Sequence, residues 1–168
     1  IDPLFELGEA IDQSVDEKGE IRDSASDDLA SIRRQIRQQK EAIKERLEAI
    51  LSSDRLKTVV QERLVTLRNN RYVIPLKPDF SSKIQGIIHD QSSSGMTVFV
   101  EPSETVEMNN RLSRLASEES KEIHRILLEI SDLVRASEES LRQDVSVLAH
   151  VDLHLSKALF AEDYQAVI

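Results

Sequence analysis

At 168 residues the chain has about one domain's worth of length, and its composition is lopsided, with 32% charged, 39% hydrophobic and only 4% aromatic residues. Four glycines and four prolines, roughly 5% of the chain against an average near 12%, argue against a sandwich or barrel and for long helices. The net charge is −9, cysteine and tryptophan are absent, and no apolar run exceeds Ala158 to Ala161. These facts exclude disulfides, thiolate metal sites, cysteine nucleophiles, a bilayer-spanning stretch and a signal-peptide core, so a cytoplasmic chain without membrane partners is expected.

In chain order, Leu29, Ile32, Ile36, Ile43, Leu47 and Ile50 form the one-sided stripe of a helix, with Ser24 and Asp27 as a capping-box-like start. The spacing predicts a helix from about Ser24 to Ser52, and Leu56, Val59, Val60 and Leu64 extend it, continuously or after a kink, to about Leu67. From Thr66 to Pro102 the character changes, because half of the aromatics and three of the four prolines fall there. Arg71 to Leu76, Lys83 to Asp90 and Met96 to Val100 read as strands, and Thr66-Leu67 is a candidate fourth. Asn69-Asn70 tolerates the positive φ of a tight hairpin, and Ser92-Ser93-Ser94-Gly95 supplies a second turn. The result is a small antiparallel sheet, too small to fold alone.

Pro102 then opens a helix, in the first-turn position that proline favours, with Glu104 and Glu107 at its positive end. Its stripe runs from Val106 to Val134, and after a break at Ala136-Ser137 the positions Leu141, Val145, Leu148, Leu155 and Leu159 carry a last helix. The expected fold is α+β, mainly helical: long antiparallel lever helices carrying a small antiparallel sheet at their tip. Residues 1–66 are assigned to a core segment and ascending helix, 67–101 to the β tip, and 102–168 to the descending helix and a core helix.

The overall charge conceals a pattern. Residues 1–30 hold 2 basic and 10 acidic side chains, residues 31–90 hold 13 and 7, and residues 91–168 hold 7 and 14. A basic middle between acidic ends fits a locally placed polyanion contact, and equally an ion-paired helix bundle. Around the sheet, Arg68, Arg71, Lys77 and Lys83 are relieved only by Asp79 and Asp90, with Tyr72 and Phe80 between them as stacking rings or as the miniature core. Ser92, Ser93 and Ser94 add hydroxyl and backbone donors. These seven, Arg68 to Lys83 and the three serines, are the candidate nucleic-acid contacts.

Other chemistry is thin. His89, Asp90 and Ser92 to Ser94 hold the ingredients of a nucleophilic site, but adjacent residues on a strand point to opposite faces, and a polar hairpin turn explains them. His150 and His154 have helical i,i+4 metal-ligand spacing, yet Val151 stands where the zinc-helix pattern puts Glu, and ordinary helix residues explain the pair. No G-x-x-x-x-G-K-[ST] run exists, so no catalytic residue and no cofactor is assigned to this chain.

Gly19 through Arg33, Arg71 through Lys77, Gly86 through Pro102 and Asn109-Asn110 resemble the bacterial MutS paralogue of the second type, over essentially all 168 residues. The resemblance implies a segment of a dimeric ATPase that uses ATP and Mg and has a nuclease-type C-terminal domain. It implies lever helices with a reduced clamp at their tip, and a parent that binds branched DNA, restrains recombination and in some bacteria engages ribosomes. The Phe-x-Glu element of classical mismatch recognition has one formal match, Phe160-Ala161-Glu162, read as chance because of its place in the last helix. Two functions follow as expectations: a lever and clamp segment meeting DNA, or a protein-interaction, dimerisation or ribosome- and rRNA-docking module without DNA contact.

Overall fold

The computed structural model describes residues 4–53, 64–79 and 84–165. It is α+β, with four helices, α1 (Phe5–Ser14), α2 (Asp27–Ser52), α3 (Ser103–Ala136) and α4 (Glu138–Asp163), and four strands, β1 (Thr66–Arg68), β2 (Arg71–Leu76), β3 (Gly86–Gln91) and β4 (Val98–Pro102). The chain divides into two compact units, one of residues 1–26 and 123–168, the other of residues 27–122.

In the second unit the sheet order is β1-β2-β4-β3, and all neighbours are antiparallel. Asn69 and Asn70 join β1 to β2 with φ of 50° and 60°, the left-handed pair that matches strand twist in a two-residue hairpin. Gly95, at φ 70°, closes the Ser92–Gly95 turn, whose Gly95 N–H donates to the Ser92 carbonyl at 2.8 Å. Ile36, Ile43, Leu47 and Leu51 of α2 lie with Leu112 and Leu115 of α3 and with Ile74, Leu76, Val98 and Val100 of the central strands in one core. The helices run antiparallel there. Arg33 pairs with Glu119 at 2.7 Å, Gln39 Nε2 donates to the Met108 carbonyl at 2.9 Å, and Arg46 pairs with Glu104, so partners fall along α3 as they rise along α2.

Three boundaries differ from expectation. Thr66–Arg68 is strand, paired with Val73, Tyr72 and Arg71, so no helix reaches Leu67; the apolar spacing there fits either element and the non-local pairing decides it. Leu56, Val59 and Val60 lie outside the described residues. Ser24 belongs to a 3-10 turn (Asp23–Ala25), and the extended Ser26 immediately precedes α2. Pro102 ends β4 opposite Gly86 and does not open α3; the Ser103 N–H donates to the Gln85 carbonyl at 2.9 Å and continues the ladder one step.

The first unit holds α1, which the sequence analysis did not find, and α1 packs on the 3-10 turn. Between them Val15 bridges Ile21 across a turn centred on Asp16. Leu7, Ile21 and Ile126 are buried, whereas no residue of α4 is. Among the described residues no helix is long and apolar enough to cross a membrane.

Candidate nucleic-acid interface

The β2–β4 register pairs Leu76 with Val98, and the β3–β4 register pairs Gln91 with Val98. Lys77 and Ser92 therefore leave the sheet at the same end. The Asn69-Asn70 turn and Arg71 lie at the other end of β2, about 20 Å away for six residues of strand. The expected contacts thus fall into two groups, and Lys83, like Phe80, lies outside the described residues.

At the first end Lys77 is exposed and makes no ion pair among the described residues. Ser93 and Ser94 are exposed; Ser92 is half-buried because its Oγ accepts the Thr97 N–H at 3.0 Å and meets Ser94 Oγ at 3.3 Å. The Ser92 N–H donates to the Thr97 carbonyl at 2.9 Å, which closes the turn and leaves its outer hydroxyls to solvent.

At the other end the basic residues have internal partners. Arg68 reaches across the sheet to Asp90 at 3.2 Å, with its guanidinium carbon 4.1 Å from the centre of the Phe99 ring. Such a stacked cation contributes about 0.5–1 kcal/mol at a partly exposed site. Arg71 is more committed. Its Nε and Nη2 grip the two oxygens of Glu101 at 3.1 and 2.8 Å, and its Nη1 donates to Asn110 Oδ1 at 2.8 Å. Glu101 is fully buried, and Asn109 Nδ2 and His89 Nε2 complete its shell at 2.7 and 2.6 Å. A carboxylate in this position requires those donors, because an uncompensated buried charge is strongly destabilising. The network continues outward from Asn110 to Glu107, whose carboxyl is held below the ordinary range first by Arg114, 2.6 Å away, and then by Asn110.

The register of β3 skips a residue between Ile88, opposite Val100, and Asp90, opposite Phe99. This bulge brings two consecutive side chains to one side of the sheet, His89 to Glu101 and Asp90 to Arg68 above Phe99. The expectation that neighbours on this strand face apart is corrected by the extra residue. Ser92 nevertheless bonds within its own turn and His89 bonds Glu101, so these groups do not assemble. On α4, His150 and His154 are exposed, and His150 Nδ1 donates to the Ser146 carbonyl at 2.8 Å. Among the described residues no group of His, Asp or Glu side chains is arranged to hold a metal ion.

Reasoning from sequence missed Glu101, Asn109 and Asn110 as the partners that occupy Arg71. The only signal available was a lone glutamate in an apolar strand, which burial converts from a solvated charge into a structural one.

No family model matches the chain. Curated relatives do. The chain is 44% identical over 160 residues to a protein named endonuclease MutS2 from Geobacillus thermodenitrificans, which takes in 95% of this chain and 20% of that protein. It is 43% identical to the protein of that name from Acetivibrio thermocellus and 44% to that from Finegoldia magna, each over 161 residues, 96% of this chain and 20% of the relative. The chain spans about a fifth of the length of these relatives.

Proposed function

We propose, from the premise that this chain is a segment of the MutS2 type, that it serves as a lever and clamp: a helical arm that presents one end of its sheet to the backbone of branched DNA and couples that contact to the ATPase of the longer protein. The observation that carries the reading is the pairing of an exposed Lys77, without an ion pair among the described residues, with the exposed hydroxyls of Ser93 and Ser94 at the same end of the sheet. A lysine and hydroxyls contact phosphate oxygens and carry no base information, so the contact is one of position and not of sequence. At the other end of the sheet Arg68 is paired with Asp90, and Arg71 has one N–H left over from Glu101, Asn110 and the Val106 carbonyl. The relatives' name supports a nucleic-acid role in the same direction.

The test is binding of the full chain to a labelled four-way DNA junction across a salt series. Non-specific affinities near 10⁻⁴ to 10⁻⁶ M at physiological salt are typical even with favourable charge. With a net charge of −9, binding is expected to be detectable chiefly at low salt. Lys77→Glu should weaken binding to unrelated sequences equally and reduce the salt slope by about 1. Unchanged affinity and slope in a folded variant overturn the reading, and a stronger salt-dependent response to ribosomal RNA than to the junction moves it to RNA.

A further inference from the structure

Arg68 and Asn69 stand at the tip of the β1–β2 hairpin, and β1 and β3 are the opposite edges of the sheet, three strand spacings or about 14 Å apart if it were flat. The structure brings them together. Asn69 Nδ2 donates to the His89 carbonyl at 3.1 Å, and Arg68 Nε lies 3.2 Å from Asp90 Oδ2. An asparagine side chain is too short to cross two strands, so the sheet curls and the hairpin tip lies over β4 as a strap. The register gives the face it covers. Arg68 is opposite Arg71, and Phe99 is opposite both Pro75 and Asp90, so these residues lie with Val73 and Glu101 on the side away from Ile74 and Val100. Arg68 rests on the Phe99 ring, and Val73 is fully buried on that side. All of these residues belong to the second unit.

The strap is fastened by polar contacts that water and ions reach. The Arg68 and Asp90 side chains are 39 and 47% exposed, and Asn69 is exposed. Asp90 is anchored independently of Arg68, because its Oδ1 accepts the Gln91 N–H at 2.8 Å and leaves Oδ2 for the guanidinium. Arg68 Nη1 donates to the Leu67 carbonyl at 2.9 Å, and Nη2 has no partner among the described residues. An anion arriving at Nη2 meets the Asp90 carboxylate on the same guanidinium, and two like charges in one site repel. Arg68 therefore serves one anion well and two badly. We propose that this pair is an autoinhibitory strap: in the free chain Asp90 holds Arg68 over Phe99, and a nucleic-acid phosphate draws Arg68 away, leaving the hairpin tip on one exposed hydrogen bond and free to open. The proposal rests on the nucleic-acid reading above, but concerns the opposite end of the sheet from Lys77.

Fluorescence anisotropy of the full chain with a labelled, short-armed four-way DNA junction tests this. Asp90→Asn keeps the Oδ1 acceptor and removes the competing charge, so it should tighten binding about fivefold and steepen the salt slope by up to about 1. Arg68→Gln should cancel that gain, since the released cation is its cause; circular dichroism confirms that each variant is folded. In solution NMR, adding the junction to the parent chain should move the Asn69 side-chain amide signals, assigned with Asn69→Ala, toward those of an unbonded asparagine. The Arg68 Nε–H signal should move with them. Equal affinity of Asp90→Asn and the parent chain overturns the proposal. So does a gain that persists in Asp90→Asn/Arg68→Gln, which is then an effect of net charge alone, and so do Asn69 signals that stay fixed while the junction binds. Lys77→Glu separates this result from the clamp reading: if it leaves binding unchanged while the Arg68-dependent gain stands, the contact lies at the hairpin end and only the Lys77 contact is lost.

Discussion

The side-chain amide of Asn109 meets the peptide group of Tyr72 as a neighbouring strand would: Oδ1 accepts the Tyr72 N–H at 3.0 Å and Nδ2 donates to the Tyr72 carbonyl at 3.1 Å. The ladder between β2 and β4 begins at Ile74, so Asn109 extends it from α3 where β4 has turned into the helix. The same Nδ2 donates to Glu101, which makes one amide the joint between two strands and a helix.

Asn109→Ala should therefore cost about 3 kcal/mol in urea unfolding, since it leaves the half-buried Tyr72 peptide group without its partner and removes a donor from a buried carboxylate. Asn109→Asp should cost more, because it sets a second carboxylate beside Glu101. Equal stability of the Asp variant and the parent chain would remove Asn109 from the joint.

Arg71 and Glu101 should prove strongly coupled. Each single alanine substitution is expected to cost about 3–5 kcal/mol, because it strands the partner's charge, while the double substitution costs less than the two together. A double-mutant cycle by denaturant unfolding measures this, and strict additivity would show that the bidentate contact contributes nothing.

Gly86 lies against β4 so closely that a Cβ would sit 2.4 Å from the Glu101 carbonyl oxygen and 2.9 Å from Val100 Cγ1. Backbone cannot yield as a side-chain tip does. Gly86→Ala should push β3 from β4 and destabilise by about 1–3 kcal/mol, with faster amide exchange confined to β3. Unaltered exchange in β3 is the contrary result.

Asp16 governs the acid behaviour of the turn that follows α1. Its carboxyl is held below the ordinary range chiefly by the Glu20 N–H and then by the Lys18 N–H, each donating to Oδ1 at 2.9 Å. A carboxyl depressed in the folded state contributes stability above its unfolded pKa, and that contribution is lost as pH falls through the folded value. Amide exchange at Lys18 and Glu20 should accelerate, relative to the intrinsic rate, only below the ordinary carboxylate range. Asp16→Asn should abolish that pH dependence, and exchange that follows the intrinsic rate through the acid limb in the parent chain contradicts the assignment.

The hairpin was legible because Asn69-Asn70 carries its own backbone requirement and Arg71 to Leu76 is bounded by it. The helices α2 and α3 were legible because their apolar residues repeat over many turns. What failed was whatever depended on partners distant in sequence. Thr66 and Leu67 suit helix and strand alike until β2 pairs with them, and α1 is only ten residues long, with Phe5 74% exposed, so it has too little stripe to register. Arg71 looked like a phosphate ligand because its charge is visible in the sequence and its burial against Glu101, thirty residues on, is not. The bulge at His89 leaves no mark at all, since one extra residue changes no local propensity.

That bulge has a bearing on solubility. β3 is one of the two outer strands of the sheet, and Ile87 and Ile88 stand 48 and 57% exposed on it, the kind of border on which foreign chains add themselves and begin to aggregate. The extra residue interrupts the straight run after Ile88 and strengthens the local twist, so an incoming extended segment finds Gly86 to Ile88 in register and then loses it. Three residues are too few to hold a growing fibril, and the irregularity that positions His89 thus also guards the β3 border of the sheet.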